Sequence, residues 1–160
     1  MVIRTATMED LDEITAVEAA CFPAAEAASR EQFRERLKAY AGHFWLLYED
    51  GKLVSFVDGM VTEEADLTDE MFADAGYHKE DGKWQMIFGV NTLPEYRRRG
   101  YAGRLIERAI EDAREQGRKG VVLTCKEEKL HYYGKFGFVN EGVSVSEHGG
   151  ALWYQMRIVF

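Results

Sequence analysis

Across residues 84–125 the hydrophobic period of the chain switches from two to 3.6 and back, and few folds accommodate that sequence of events. Trp84, Met86, Phe88 and Val90 fall on every second position, the spacing of a strand. Gly89 near its end has no side chain to pack, a common mark of a bulge. Leu93-Pro94 closes the strand. Ala102, Leu105, Ile106, Ala109, Ile110 and Ala113 then recur at helical spacing and predict a strongly amphipathic helix. Gly117 and Gly120 end it, and VVLTC at 121–125 is an apolar run too short for a helix, so it reads as a buried strand. Strand, helix and strand in that order imply a parallel pair with a right-handed crossover.

The flanking segments supply hairpins and two more helices. Val2-Ile3 reads as a first strand. Thr7, with Asp10 three residues on, can cap a helix carrying Leu11, Ile14 and Val17, and Ser29 with Gln32 forms a capping box before Phe33, Leu37 and Tyr40. Asp50-Gly51 is a two-residue hairpin turn between an apolar run at 44–48 and a strand from 52 to about 61. An acidic insert at 62–80 holds a short helix around 69–75, and another short helix covers 128–133. A strand starts at 136–139, and Leu152, Tyr154, Met156, Ile158 and Phe160 alternate as the last one. The expected fold class is α/β, with a mixed sheet.

A chain of 160 residues is sized for a single domain, 1–160, which buries roughly 70% of the surface its unfolded form exposes and needs no disulfide or metal staple. Cys21 and Cys125 are far apart and match no metal spacing, so no metal is expected and a reduced, cytoplasmic setting is the natural reading, with their pairing left open. The N-terminal stretch does not read as a signal peptide, and no apolar run is long enough for a membrane helix. The net charge of −8 argues against bulk binding to nucleic acid or a membrane surface. Within 97–119, however, eight cations stand against four anions, an island suited to a small anionic ligand.

That island begins with PEYRRRGYAG at 94–103, placed between a strand and the start of a helix. Free amides at a helix N-terminus attract anions, and the small residues Gly100, Ala102 and Gly103 let a phosphate approach the backbone. Arg97, Arg98 and Arg99 add donors and long-range attraction. A solvated patch or a nucleic-acid contact is the alternative reading of the triplet.

Arg97-x-x-Gly100-x-Ala102 resembles the signature of the GNAT superfamily of N-acetyltransferases, and Tyr133 with Gly137-Phe138 resembles its Tyr-x-x-x-Gly-Phe segment. The resemblance implies a GNAT-like mixed, mostly antiparallel sheet of six to seven strands with a central parallel pair and about four flanking helices. It implies acetyl-CoA as co-substrate, with the cofactor on Phe88, Gly89 and Val90 of the splayed strand and on Arg97, Arg98, Arg99, Gly100, Tyr101, Ala102 and Gly103. A backbone amide at 88–90 would face the developing oxyanion. Tyr133 would return a proton to the departing thiolate, with core packing of Tyr133 beside Tyr132 as the alternative. Within the superfamily, EAACFPAAEAAS at 18–29 and LTCK at 123–126 are similar to the arylalkylamine and polyamine acetyltransferases, which implies a small primary amine as acceptor, held by Phe22, Pro23 and Glu26. The animal arylalkylamine enzymes carry two histidines where Lys83 and Gln85 stand here, so the proton route is open: His148 in the EHGG segment at 147–150, Glu26 and a chain of waters are the candidates. Acetylation of a protein or peptide amine, and a non-catalytic CoA-binding module, are the competing functions. Homodimers are common among similar proteins.

Overall fold

The computed structural model describes residues 1–160, the side chain of His148 excepted. The chain runs through β1 (Val2–Thr5), α1 (Leu11–Cys21), α2 (Arg30–Tyr40), β2 (Phe44–Glu49), β3 (Lys52–Asp58), β4 (Val61–Thr62), α3 (Asp69–Ala73), β5 (Trp84–Ile87), β6 (Gly89–Thr92), α4 (Tyr101–Glu115), β7 (Gly120–Cys125), α5 (Leu130–Gly134), β8 (Val139–Val143) and β9 (Tyr154–Val159). Both sequence-predicted capping boxes form: Thr7 with Asp10 opens a short 3-10 turn leading into α1, and Ser29 with Gln32 opens α2. Asp50 and Gly51 take φ of 50° and 78°, the left-handed pair that a tight hairpin between β2 and β3 requires.

The strands form two sheets rather than one. The order is β1-β2-β3-β6 in the first and β4-β5-β7-β9-β8 in the second. The parallel pair is β5 with β7, and α4 is its crossover. Strand count exceeds the expected six to seven because two expected strands each divide between the sheets. The strand after the hairpin stops at Asp58 and resumes as β4, and the strand at 84–92 breaks at Phe88 into β5 and β6. The first crossing passes Gly59, where a Cβ would overlap the Met86 carbonyl.

Leu105, Ile106, Ala109, Ile110 and Ala113 of α4 are buried, and α4 packs on β2, β3, β6 and β7. Leu11, Ile14 and Val17 of α1 and Phe33, Leu37 and Tyr40 of α2 join the same core around Trp45, Phe44 and Phe56. Both cysteines are free. Among the described residues no helix is long and apolar enough to cross a membrane.

Candidate active site

The break at Phe88 opens the sheet like a V. β5 continues into the second sheet, β6 into the first, and the two part where they would otherwise stay paired. The Phe88 N–H donates to the Asp58 carbonyl at 2.7 Å, so that amide is already used. In an antiparallel pair the main-chain groups of successive residues alternate between facing the partner and facing away. The Leu93 N–H donates to the Val54 carbonyl, which places residues 91 and 93 toward β3 and leaves Val90 and Thr92 facing the opening. The Thr92 carbonyl bears this out, accepting from Arg97 Nε at 2.9 Å and Cys21 Sγ at 3.3 Å.

A groove of about 710 Å³ runs from this opening to the start of α4. Gly100 is the helix N-cap at φ 79°, where an L side chain would be strained, and it supplies no side-chain cap. The first helical bond is Arg104 N–H to the Gly100 carbonyl at 3.1 Å. The amides of Tyr101, Ala102 and Gly103 therefore have no acceptor within the helix, and these residues border the groove. The first turn of α4 has no acidic residue to compete for them. The arginine triplet divides by direction. Arg97 and Arg98 line the groove, whereas Arg99 stacks on the Tyr96 ring at 5.0 Å and donates to the Glu95 carbonyl. Uncapped amides, a left-handed glycine and two cationic walls together fit a diphosphate.

At the other side of the opening lies a smaller cavity of about 220 Å³, walled by Phe22, Phe72, Phe88 and Trp153 and carrying the polar groups of Glu18, Glu26 and Arg36. Glu18 is the residue that sequence reading did not single out as a base. Its Oε2 accepts the Ala28 N–H at 2.8 Å, and the side chain is almost fully buried. Burial pushes its carboxyl up to about 7, and the nearby Asp58 charge pushes the same way. Only the Ala28 amide, Arg36 and Asn91 oppose the shift. The signal was present: Leu11, Ile14 and Glu18 are spaced by three and four, so the carboxylate sits on the core-facing stripe of α1.

The other expected site residues distribute as follows. Tyr133 borders the groove, packed edge-on against Tyr132 and Phe138 at 5.1 and 6.1 Å. Burial raises its phenol, so it stays protonated at neutral pH. Phe22 and Glu26 border both cavities and Pro23 the larger one, with Glu26 held by Lys126 Nζ at 3.0 Å. Gly89 lines the smaller cavity rather than the groove. His148, by its side chain, lies outside the described residues. Gln85 is buried, donating to the Gly59 and Met86 carbonyls, and does not reach either cavity. Cys125 borders the groove, but burial lifts its thiol to about 11, which leaves little thiolate for nucleophilic attack.

Among the described residues, His43, His78 and Glu80 form the one trio close enough to share a metal ion, and they line neither cavity. Their polar atoms satisfy one another instead. The Val61 N–H donates to His78 Nδ1 at 3.1 Å, so Nε2 carries the hydrogen and donates to Glu80 at 2.9 Å. Ligation through Nε2 would require His78 to give up its remaining ring hydrogen. Arg118, 3.4 Å from Glu80, adds a cation.

Residues 10–138 match the model of the acetyltransferase (GNAT) family, and the chain belongs to that family. It is similar to a probable glucosamine 6-phosphate N-acetyltransferase 2 of Oryza sativa subsp. japonica, 33% identical over 76 residues, covering 48% of this chain. The chain spans about half of that curated relative, 46% of its length, in a branch different from the arylalkylamine and polyamine likeness. Among solved structures it is similar in fold to the loading GNATL domain of CurA from Lyngbya majuscula, with a TM-score of 0.84, 17% identity and coverage of 99% and 96% of the two chains. The GphF GNAT-like decarboxylase in complex with isobutyryl-CoA gives a TM-score of 0.84 at 21% identity, covering 99% of each chain. A GNAT family acetyltransferase of Brucella melitensis in complex with acetyl-CoA gives 0.63 at 21% identity, covering 99% and 87%.

Proposed function

We infer that residues 1–160 form one acetyltransferase domain that moves an acetyl group from acetyl-CoA to a small primary amine, through a complex of both substrates. The observation that carries this reading is the meeting of two cavities at Phe88: a groove ending on uncapped helix amides, and a smaller chamber holding a buried carboxylate. The amides of Tyr101, Ala102 and Gly103, with Arg97 and Arg98, hold the diphosphate. Bound acetyl-CoA supplies an acyl thioester at the opening of the sheet. The Val90 amide is aimed at the carbonyl oxygen, where negative charge grows as the amine attacks.

An alkylamine has a pKa near that of lysine, about 10.4, so only on the order of one molecule in a thousand is neutral at pH 7. Glu18, poised near 7, takes the proton from the ammonium form at physiological pH. Tyr133, still protonated, gives its proton to the departing thiolate. The nitrogen gives up two protons on the way from ammonium to amide, the first to Glu18 and the second to solvent as the tetrahedral adduct collapses. Exchange with solvent resets Glu18 and Tyr133, so one proton ends on the thiol and one is released.

The chamber walls favour an apolar, aromatic-sized body on the amine. Among the described residues, its polar lining leaves Glu18 as the acid without an ion-pair partner: Glu26 is held by Lys126 at 3.0 Å, and the cation Arg36 by Asp58 at 3.2 Å. That lining suits a cationic amine and disfavours a sugar phosphate or other acceptor with its own anion. A cavity of only about 220 Å³ also favours a small molecule over a peptide, which needs a longer groove.

The test is an acceptor panel with acetyl-CoA, read by thiol release and product mass. Aryl-ethylamines, polyamines, glucosamine 6-phosphate and short peptides are compared by kcat/KM. Aryl-ethylamines should rank first. Preference for the sugar phosphate or a peptide would overturn the acceptor assignment, and no turnover above hydrolysis with any amine would overturn the activity.

A further inference from the structure

Behind the chamber, four elements bring polar side chains into one dry space: Glu18 from α1, Arg36 and Tyr40 from α2, Asp58 from β3 and Asn91 from β6, none more than 6% exposed. Part of this set is satisfied. Arg36 reaches Asp58 Oδ2 at 3.2 Å and the Phe72 carbonyl at 2.9 Å, and Glu18 Oε2 holds the Ala28 amide. The rest is packed side by side. Glu18 Oε1, Asp58 Oδ1, both amide atoms of Asn91, Arg36 Nε and the Tyr40 hydroxyl make no close, well-aligned hydrogen bond among the described residues, while Asn91 lies near enough to favour the Glu18 carboxylate and the Gly89 amide to favour that of Asp58.

Gly89 shows how closely these groups gather. A Cβ on Gly89 would stand 3.0 Å from Asn91 Nδ2, 3.0 Å from Asp58 Oδ1 and 3.5 Å from Glu18 Oε1, so even a methyl group would be crowded there. Three of these atoms, from three elements, thus converge beside the hydrogen face of one glycine, at the sheet break where the two cavities meet. The Glu18 and Asp58 carboxylates meet across the Asn91 amide, each with an oxygen within 3.5 Å of one point.

We propose that Glu18 and Asp58 work as a pair across the Asn91 amide beside Gly89, with Asp58 the positioning residue whose charge holds the proton that Glu18 takes from the amine. This rests on the acetyl-transfer reading above. The proton moves from the amine nitrogen to Glu18 Oε1, and the charge on Asp58 holds it there. No further reactant is needed, and the proton returns to solvent when product leaves the chamber. The charges facing the pair are Arg36, bonded to Asp58, and Glu26 across the chamber with its partner Lys126; Tyr40 and Asn91 are neutral. Burial is the chief cause holding both groups up, Glu18 to about 7 and Asp58 to about 6, and the Asp58 charge adds to the rise of Glu18.

The pH dependence of kcat/KM, measured in wild type and in Asp58→Asn, reads the coupling directly. Loss of the Asp58 charge should move the acid limb down by about one unit or more, at unchanged acetyl-CoA KM. A folded variant whose acid limb stays in place overturns the proposal. Should Asp58→Asn not fold, carboxyl-carbon NMR decides on wild type and Glu18→Gln. Asp58 should titrate at lower pH once Glu18 is neutral, and an unmoved Asp58 titration overturns the pairing. The NMR arm needs no substrate, so it separates failure of the pairing from failure of the acetyl-transfer reading.

Discussion

Arg36 Nη1 and Asp58 Oδ2 lie 3.2 Å apart with 5% and 1% of their side chains exposed, so the ion pair spans α2 and β3 entirely inside the protein. Removing one partner leaves the other charge buried and uncompensated. Arg36→Met should cost about 3–5 kcal/mol of unfolding free energy, read by denaturant titration. The double variant Arg36→Met, Asp58→Asn should recover much of that loss, and strict additivity would show that the two charges do not interact.

Stability should peak in mildly acidic solution. Glu18 is raised from an ordinary 4.5 to about 7, so its contribution is full below pH 4.5 and is lost as pH rises through 7. Asp10 is lowered from 3.8 to about 2, chiefly by its bond to Arg4, so its contribution is present above 3.8 and is lost as pH falls through 2. Unfolding free energy should therefore climb between pH 2 and 4 and decline between 4.5 and 7. The Glu18 part of the decline is on the order of 3 kcal/mol. Glu18→Gln should remove the Glu18 share of the decline, leaving the share of Asp58, raised from 3.8 to about 6, and should leave the acid rise intact, as followed by chemical denaturation at fixed pH values.

The same variant separates binding from chemistry. Glu18→Gln keeps the shape and the Ala28 hydrogen bond but removes the proton acceptor. Turnover should fall by about 100-fold or more while coenzyme A affinity is retained. Equal turnover in steady-state assays would remove Glu18 from the proton route.

Tyr133→Phe removes only a hydroxyl from a tightly packed ring. Loss of a proton donor should lower kcat by at least about 100-fold with little effect on acetyl-CoA KM. Unchanged kcat would assign Tyr133 to packing alone.

How far the sequence revealed this arrangement depends on whether the determinant is local. The change of period over residues 84–125 identified β5, α4 and β7, because periodicity reflects which face is buried. The capping boxes at Thr7 and Ser29 were legible for the same reason, each being complete within four residues. The division into two sheets was not legible. It depends on which distant strand each half of 84–92 pairs with, and on the Phe88 amide turning to the Asp58 carbonyl, thirty positions earlier. Gly89 marked the bulge but not its consequence. Glu18 was half legible: its spacing with Leu11 and Ile14 put a carboxylate on a buried stripe, yet Arg36, Asp58 and Asn91 come to it from three other elements. The turn at 97–103 was legible as a whole, although the departure of Arg99 toward Tyr96 was not.

The central claim is that a diphosphate docks on the open amides following Gly100. Calorimetric titration of coenzyme A tests it on wild type and on Gly100→Ala, whose added methyl meets no neighbour within 4 Å but must sit at φ 79°. The left-handed conformation costs an L residue roughly 1–2 kcal/mol, which the free variant sheds by letting the turn relax and binding must restore, so association should be clear in wild type and about tenfold weaker in the variant. No heat of binding in wild type, or equal affinity in both, would contradict the account.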